Sequence, residues 1–330
     1  MKNKEKPSKL LFIVILCTFS VFCLSCSYEK IPAVNILEGK DSKPPILIGT
    51  RATGKKQVIL IFDEKVDLIL NTNKEKIESI SYKGNIAYIF LKQTLEPWEK
   101  ITFDFIAMDS RKNTTSLICP IFGFNARKPI ALINEITTKG TKTQPDRTEL
   151  LILKGGNLAG LTLYQGCKDN WETRVILPNR EVNNGDFIVI WWTEQLPTDI
   201  DDYKNICAKT SNDPPTFNGC ESLYSDPSEF SPCLDAIIYA NHNGIAYNKF
   251  GNKKNEAQAS LIVKNGNWKT EEETLTGLSG VNSLKTTSTR SIARWKDKID
   301  TNTSKDWYIT KTSGKTFGEA NTSEVFVFQN

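Results

Sequence analysis

Seven short apolar runs follow one another at roughly ten-residue spacing between Ile46 and Phe124, a rhythm that antiparallel sheets can satisfy. Ile46–Gly49, Val58–Phe62, Val66–Leu70, Ile77–Tyr82, Ala87–Leu91, Ile101–Ile106 and Leu117–Phe124 are rich in β-branched and aromatic side chains, with Gly, Asn and charged residues between them. Seven strands in about 80 residues predict a small sandwich. Val, Ile, Thr, Phe, Tyr and Trp stay frequent beyond Phe124, with Asn, Gly and Pro interrupting them, so β structure is expected throughout.

The chain begins with Lys2, Lys4, Lys6 and Lys9, then the apolar run Leu10–Leu24, then Ser25-Cys26. A basic head and about 15 apolar residues suit an export signal; a bilayer-spanning helix takes roughly 20. Three outcomes fit the segment: cleavage before Cys26 with lipid on its sulfur, ordinary secretion with a cut nearby, or an uncleaved anchor. The first is favoured, although Cys23 stands where a lipoprotein signal usually has Leu. Ser27–Pro45 then reads as a polar tether.

The 330 residues contain 42 Lys and Arg against 38 Asp and Glu, a net charge of +4. Residues 1–25 hold four Lys and one Glu, so the remainder has 38 against 37, or +1. A nearly neutral body has no global field to collect nucleic acid, and no nucleic-acid partner is expected. If Cys26 is lipidated, Cys119, Cys167, Cys207, Cys220 and Cys233 remain, an odd number. Cys207 and Cys220 share a stretch rich in Pro, Asn and Asp and are the expected disulfide. A zinc site from Cys207, Cys220 and Cys233 is the alternative, as are free thiols; the usual C-x-x-C spacing of zinc motifs is missing.

Two resemblances sharpen the organisation. Val58-Ile59-Leu60-Ile61-Phe62-Asp63-Glu64-Lys65-Val66 resembles the Phe-acid-x-Val strand of bacterial Ig-like domains, and Asp109-Ser110-Arg111-Lys112-Asn113 stands where those domains have a D-x-x-G-N turn. After Arg127-Lys128-Pro129 come Ile133-Asn134-Glu135, Glu149-Leu150, Asn157–Leu163, Arg174–Pro178, Gly185–Trp191 and Leu234–Tyr239. Ser291-Ile292-Ala293-Arg294, Asp300–Trp307 and Thr316–Asn321 follow. This ordered set resembles the bacterial lamin tail domain over residues 130–322, with Phe317 replacing a usual Pro. The resemblance implies an Ig-like sandwich with insertions at about 195–233 and 244–290. Asn255–Lys264 in the second insertion reads as a short helix.

Candidates for chemistry are few. His242, the one histidine, lies in Asn241-His242-Asn243-Gly244, a turn sequence. No G-x-S-x-G elbow is present. Asp300, Asn302, Ser304 and Asp306 alternate so that a turning loop could direct four oxygens at a Ca²⁺ ion, or the same side chains could cap a turn that inserts Trp307. Asp199, Asp201 and Asp202 form a second acidic group, expected to be solvated. Trp191-Trp192 offers at most one outward ring on a strand, either a sugar-stacking surface or a lid on the core. Asn134, Glu135 and Glu149 are expected to be structural, with the glutamates at solvent-facing or edge positions.

The expected fold is all-β, two Ig-like β-sandwiches in tandem after a lipoprotein signal peptide: residues 1–25 signal, 26–45 anchor and tether, 46–126 first sandwich and 127–330 second. The expected role is a non-catalytic cell-envelope lipoprotein, periplasmic or surface-exposed, held in the membrane through Cys26. Its partner would be a protein or glycan bound by loops of the second module. No cofactor other than Ca²⁺ is foreseen. The alternative role is an accessory or degenerate partner of a secreted hydrolase or nuclease, suggested by the company lamin tail domains keep.

Overall fold

The computed structural model describes residues 42–228, 231–243, 249–296 and 300–327. The expected export signal, Cys26 and most of the tether lie outside the described residues. The first module has seven strands: β1 (Leu47–Gly54), β2 (Gln57–Phe62), β3 (Asp67–Leu70), β4 (Ile77–Lys83), β5 (Ile86–Leu91), β6 (Lys100–Met108) and β7 (Thr114–Phe122). They form two sheets, ordered β1-β2-β5-β4 and β3-β6-β7. Alternation builds the core, since every second residue of a strand faces the same side. Val58, Leu60 and Phe62 from β2 meet Ala87, Ile89 and Leu91 from β5, and Ile101, Phe103, Phe105 and Ala107 from β6 close over them. A turn forms at Asp109. Asp109 Oδ1 accepts the amides of Arg111 and Asn113, and Lys112 adopts φ 75°, a conformation that favours Gly.

The second module contains β8 (Ile130–Ile136), β9 (Arg147–Lys154), β10 (Gly156–Asn157), β11 (Thr162–Cys167), β12 (Asn170–Ile176), β13 (Glu181–Val182) and β14 (Phe187–Trp191). It continues with β15 (Asn205–Cys207), β16 (Gly219–Tyr224), β17 (Cys233–Ala240), helix α1 (Lys253–Lys264), β18 (Val281–Asn282), β19 (Ile292–Arg294) and β20 (Trp307–Ile309). One sheet runs β15-β14-β9-β8-β19-β20 and the other β12-β11-β16-β17-β18. Leu150, Ile152, Ile188, Ile190 and Trp192 of the first share a core with Leu163, Leu223, Ile237 and Tyr239 of the second. The all-β expectation holds, and α1 falls where the short helix was foreseen. Asn252 caps it by accepting the Asn255 amide.

The two expected insertions are not free loops. The first supplies β15 and β16, and β16 lies in the middle of its sheet between β11 and β17. The second supplies α1, whose Ala259 and Ile262 join the same core as Phe250 and Trp268. Burying these residues anchors segments that the sequence alone presents as polar excursions.

The modules meet through short contacts. Trp98 stacks on Phe122, with ring centroids 4.2 Å apart, and lies against Gly160 of the second module. Asn125 Nδ2 donates to the carbonyls of Asn157 (2.7 Å) and Ala159 (2.9 Å). The expected linker, Arg127-Lys128-Pro129, is itself held, because the Asn157 amide donates to Arg127 O.

Candidate functional site

From the junction, β8 runs from Ile130 to Ile136, and β9 returns from Arg147 to Lys154, which pairs with Ile130. The turn between them therefore projects at the end of the sandwich remote from the first module. Two other connections meet it there. Thr138 Oγ1 donates to Thr216 O, tying in the connection from β15 to β16. Lys139 Nζ donates to the carbonyls of Ser283 and Leu284, tying in the segment after β18. Phe217 stands on this surface 52% exposed, with Lys139 Nζ 5.0 Å from its ring centre.

Beneath this end lies a group of buried oxygens. Glu221 on β16 is fully buried; its Oε2 accepts the Thr148 hydroxyl at 2.6 Å, while its Oε1 has no partner. Gln165, directly opposite it in the β11–β16 ladder, also has an unpaired Oε1, and Asp146 has an unpaired Oδ1. Burial pushes Glu221 up to about 8, and Asp146 nearby adds to this. Burial, then repulsion from Asp213, raises Asp146 to about 7. Such groups favour the protonated form.

Glu135 and Glu149, expected at solvent-facing or edge positions, are instead completely buried. They pair across β8 and β9 on the face opposite the core, and a segment far along the chain covers them. Thr316 donates its amide and hydroxyl to Glu135, and Gly318 donates its amide to Glu149. Desolvation moves both pKa values upward, Glu149 to about 8.

The other sequence candidates are placed as follows. Asp306 accepts from Thr301 and Thr303 and closes the capping box of the single turn Ser304–Asp306. Asp300 pairs with Arg294 at 2.9 Å and accepts the Asn302 amide, while Asn302 takes φ 57° to turn the chain. The carboxylates of this loop thus bind turn amides and Arg294. Among the described residues, no group of three or more His, Cys, Asp and Glu side chains is arranged to hold a metal ion. Asp199, Asp201 and Asp202 are exposed, and Asp201 accepts the Tyr203 amide. His242 is half-buried rather than solvated, with Nε2 3.1 Å from Gly280 O, and burial lowers its pKa.

Two further expectations are corrected. The Cys207–Cys220 disulfide is not formed; both are free thiols because β15 carries Cys207 in one sheet and β16 carries Cys220 in the other. Cys207 Sγ donates to Thr193 O, and Cys220 is buried. Nor do the tryptophans offer a sugar-stacking face. Trp192 enters the core and donates Nε1 to Thr148, while Trp191 is 7% exposed beneath the Arg147 guanidinium, 4.5 Å away.

A cleft of about 390 Å³ lies at the junction, between β1 and β7 of the first module and Lys128 and Asp226 of the second. Lys128 and Asp226 close one side as an ion pair at 2.7 Å. Among the described residues no helix is long and apolar enough to cross a membrane.

A family model described as "protein second domain" matches residues 129–218 and 211–309, the span that builds the second sandwich. No lamin tail or Ig-like family model matches the chain. No curated protein matches it. With more than half of its residues covered, the chain belongs to the family described as "protein second domain".

Proposed function

We propose that the protein is an exported, lipid-anchored and non-catalytic binding module, displayed from Cys26 and contacting its partner through the loop end of the second sandwich. The observation that carries this reading is the meeting of three connections, around exposed Phe217, at the end remote from the first module. Loops held by a stiff scaffold are where β-sandwiches commonly place recognition surfaces. The ordered lamin-tail-like motifs and the basic-apolar-Cys26 start support the same assignment. Ig-like scaffolds host many functions, so the test addresses activity directly.

Full-length protein in detergent is incubated with DNA, RNA and phosphoesters in the presence of Mg²⁺ and Ca²⁺. No turnover is expected; turnover lost in an Asp300→Ala, Asp306→Ala variant would replace the binding module with a hydrolase. Palmitate labelling of cells tests the anchor. Label retained by Cys26→Ala removes the lipid assignment.

A further inference from the structure

The loop end carries a charge pattern that the near-neutral total conceals. Three segments that meet there, 137–145, 283–291 and 311–318, contain six Lys and Arg and not one Asp or Glu, and the connection that brings Phe217, 208–218, adds one of each, Lys209 and Asp213. Lys311 pairs with Glu324. The other five, Lys139, Lys142, Lys285, Arg290 and Lys315, form no ion pair among the described residues. Two of them grip the same segment from different sides. Lys139 Nζ reaches Ser283 O and Leu284 O, both at 3.4 Å, and Lys315 Nζ reaches Ser288 O at 3.1 Å and Gln144 Oε1 at 2.5 Å.

These contacts leave charge unbalanced. Lys139 and Lys315 lose part of their hydration, and each has an arginine nearby: Arg290 for Lys139 and Arg147 for Lys315. Burial first and like charge second lower both pKa values, although Glu135 partly offsets this at Lys315. Their partners are neutral oxygens. A bound anion would supply the counter-charge that the protein withholds.

We propose that this end binds an acidic glycan, a chain of sugars bearing sulfate or carboxylate groups. This rests on the binding-module reading and names its ligand class. The cations take the acidic groups and the exposed Phe217 ring takes an apolar sugar face. The hydroxyl pairs Thr141–Thr143 and Thr287–Thr289, each 3.3 Å apart, lie in the same two turns and offer sugar hydroxyls their partners. Nucleic acid fits less well. Single strands need a row of exposed stacking rings and duplexes a broad phosphate-tracking field, whereas here Phe217 is exposed but Phe317 and Phe326 are half-buried beneath Arg147 and Arg290, and the chain beyond residue 25 is nearly neutral.

Binding of full-length protein in detergent is measured by calorimetry with a sulfated oligosaccharide, a polyuronate, neutral dextran, inorganic sulfate and duplex DNA. Lys142 and Lys285 are exposed and their side chains donate no hydrogen bond among the described residues, so Lys142→Glu with Lys285→Glu leaves the thermal unfolding curve unchanged. The expected result is binding of the sulfated or uronate chain, no binding of dextran, and affinity weakened about tenfold or more by the double variant and by high salt. Equal affinity in the double variant overturns the proposal. So does binding of neither acidic chain, equal binding of dextran, binding of sulfate as tightly as of the polymer, or tighter binding of DNA. These failures leave the binding-module reading standing, which falls only to turnover in the hydrolysis assay.

Discussion

Trp98 of the first sandwich lies so close to Gly160 of the second that a Cβ at position 160 would stand 2.5 Å from indole Cε3. Both residues adopt positive φ, 67° at Trp98 and 90° at Gly160. The indole is also held by its stack on Phe122, so it has little freedom to retreat. The pair, with the two bonds from Asn125, sets how the modules sit on each other.

Gly160→Ala therefore meets two penalties, the strained backbone and the clash. A loss of roughly 1–3 kcal/mol is expected, read as an unfolding midpoint several degrees lower. An unchanged midpoint and solution-scattering profile would mean that Trp98 yields freely and the junction is loose.

The second module should weaken as pH rises. Glu221 and Glu149 are each pushed to about 8 and Asp146 to about 7, all above their ordinary values, so the folded state holds protons that the unfolded chain releases. The contribution of these three acids is then full below about pH 4 and falls progressively as pH climbs toward 8. Glu221→Gln mimics the protonated acid and should flatten the pH profile of the unfolding midpoint, with the largest gain near pH 8. A profile parallel to that of the wild type would show that Glu221 is ionised in the fold.

Arg294 joins the two sheets at one corner. Its Nη2 binds Asp235 at 2.7 Å, Nε binds Ile133 O at 2.9 Å and Nη1 pairs with Asp300. Asp235 also accepts the Ile133 amide, so removing the arginine strands a buried carboxylate. Arg294→Ala should cost about 3–5 kcal/mol in urea unfolding, and Arg294→Lys should not restore it, because a single ammonium cannot replace the fork. Full rescue by Lys would reduce the interaction to simple charge.

Asp306→Ala removes the acceptor for the amides of Thr301 and Thr303. A loss of about 1–2 kcal/mol is expected from the missing cap, equal in Ca²⁺ and in chelator. A midpoint that rises with Ca²⁺ in the wild type alone would give this loop a calcium site.

The strands of the first sandwich were legible because alternation writes the buried face directly into the sequence, as in Ile101, Phe103, Phe105 and Ala107. Asp300–Asp306 was half legible, since turn capping and cation binding ask for the same oxygens. Cys207 and Cys220 misled because closeness in a polar stretch looks like a staple. Two short strands, only three residues long in the case of β15, carry them into separate sheets. Glu135 and Glu149 read from the sequence as solvent-facing or edge residues, yet they are buried, because their cover is Thr316–Gly318, 181 residues from Glu135 in the case of Thr316.

The β class, the positions of most strands, the short helix and the turn at Asp109 are written locally in the chain, because they depend on side-chain alternation and short-range hydrogen bonding. Which acids lose water, which thiols stay apart and which lysines gather at one end are settled by long-range packing. Those outcomes depend on residues brought together across tens to hundreds of positions, and solvation and charge respond to distance in space rather than along the chain.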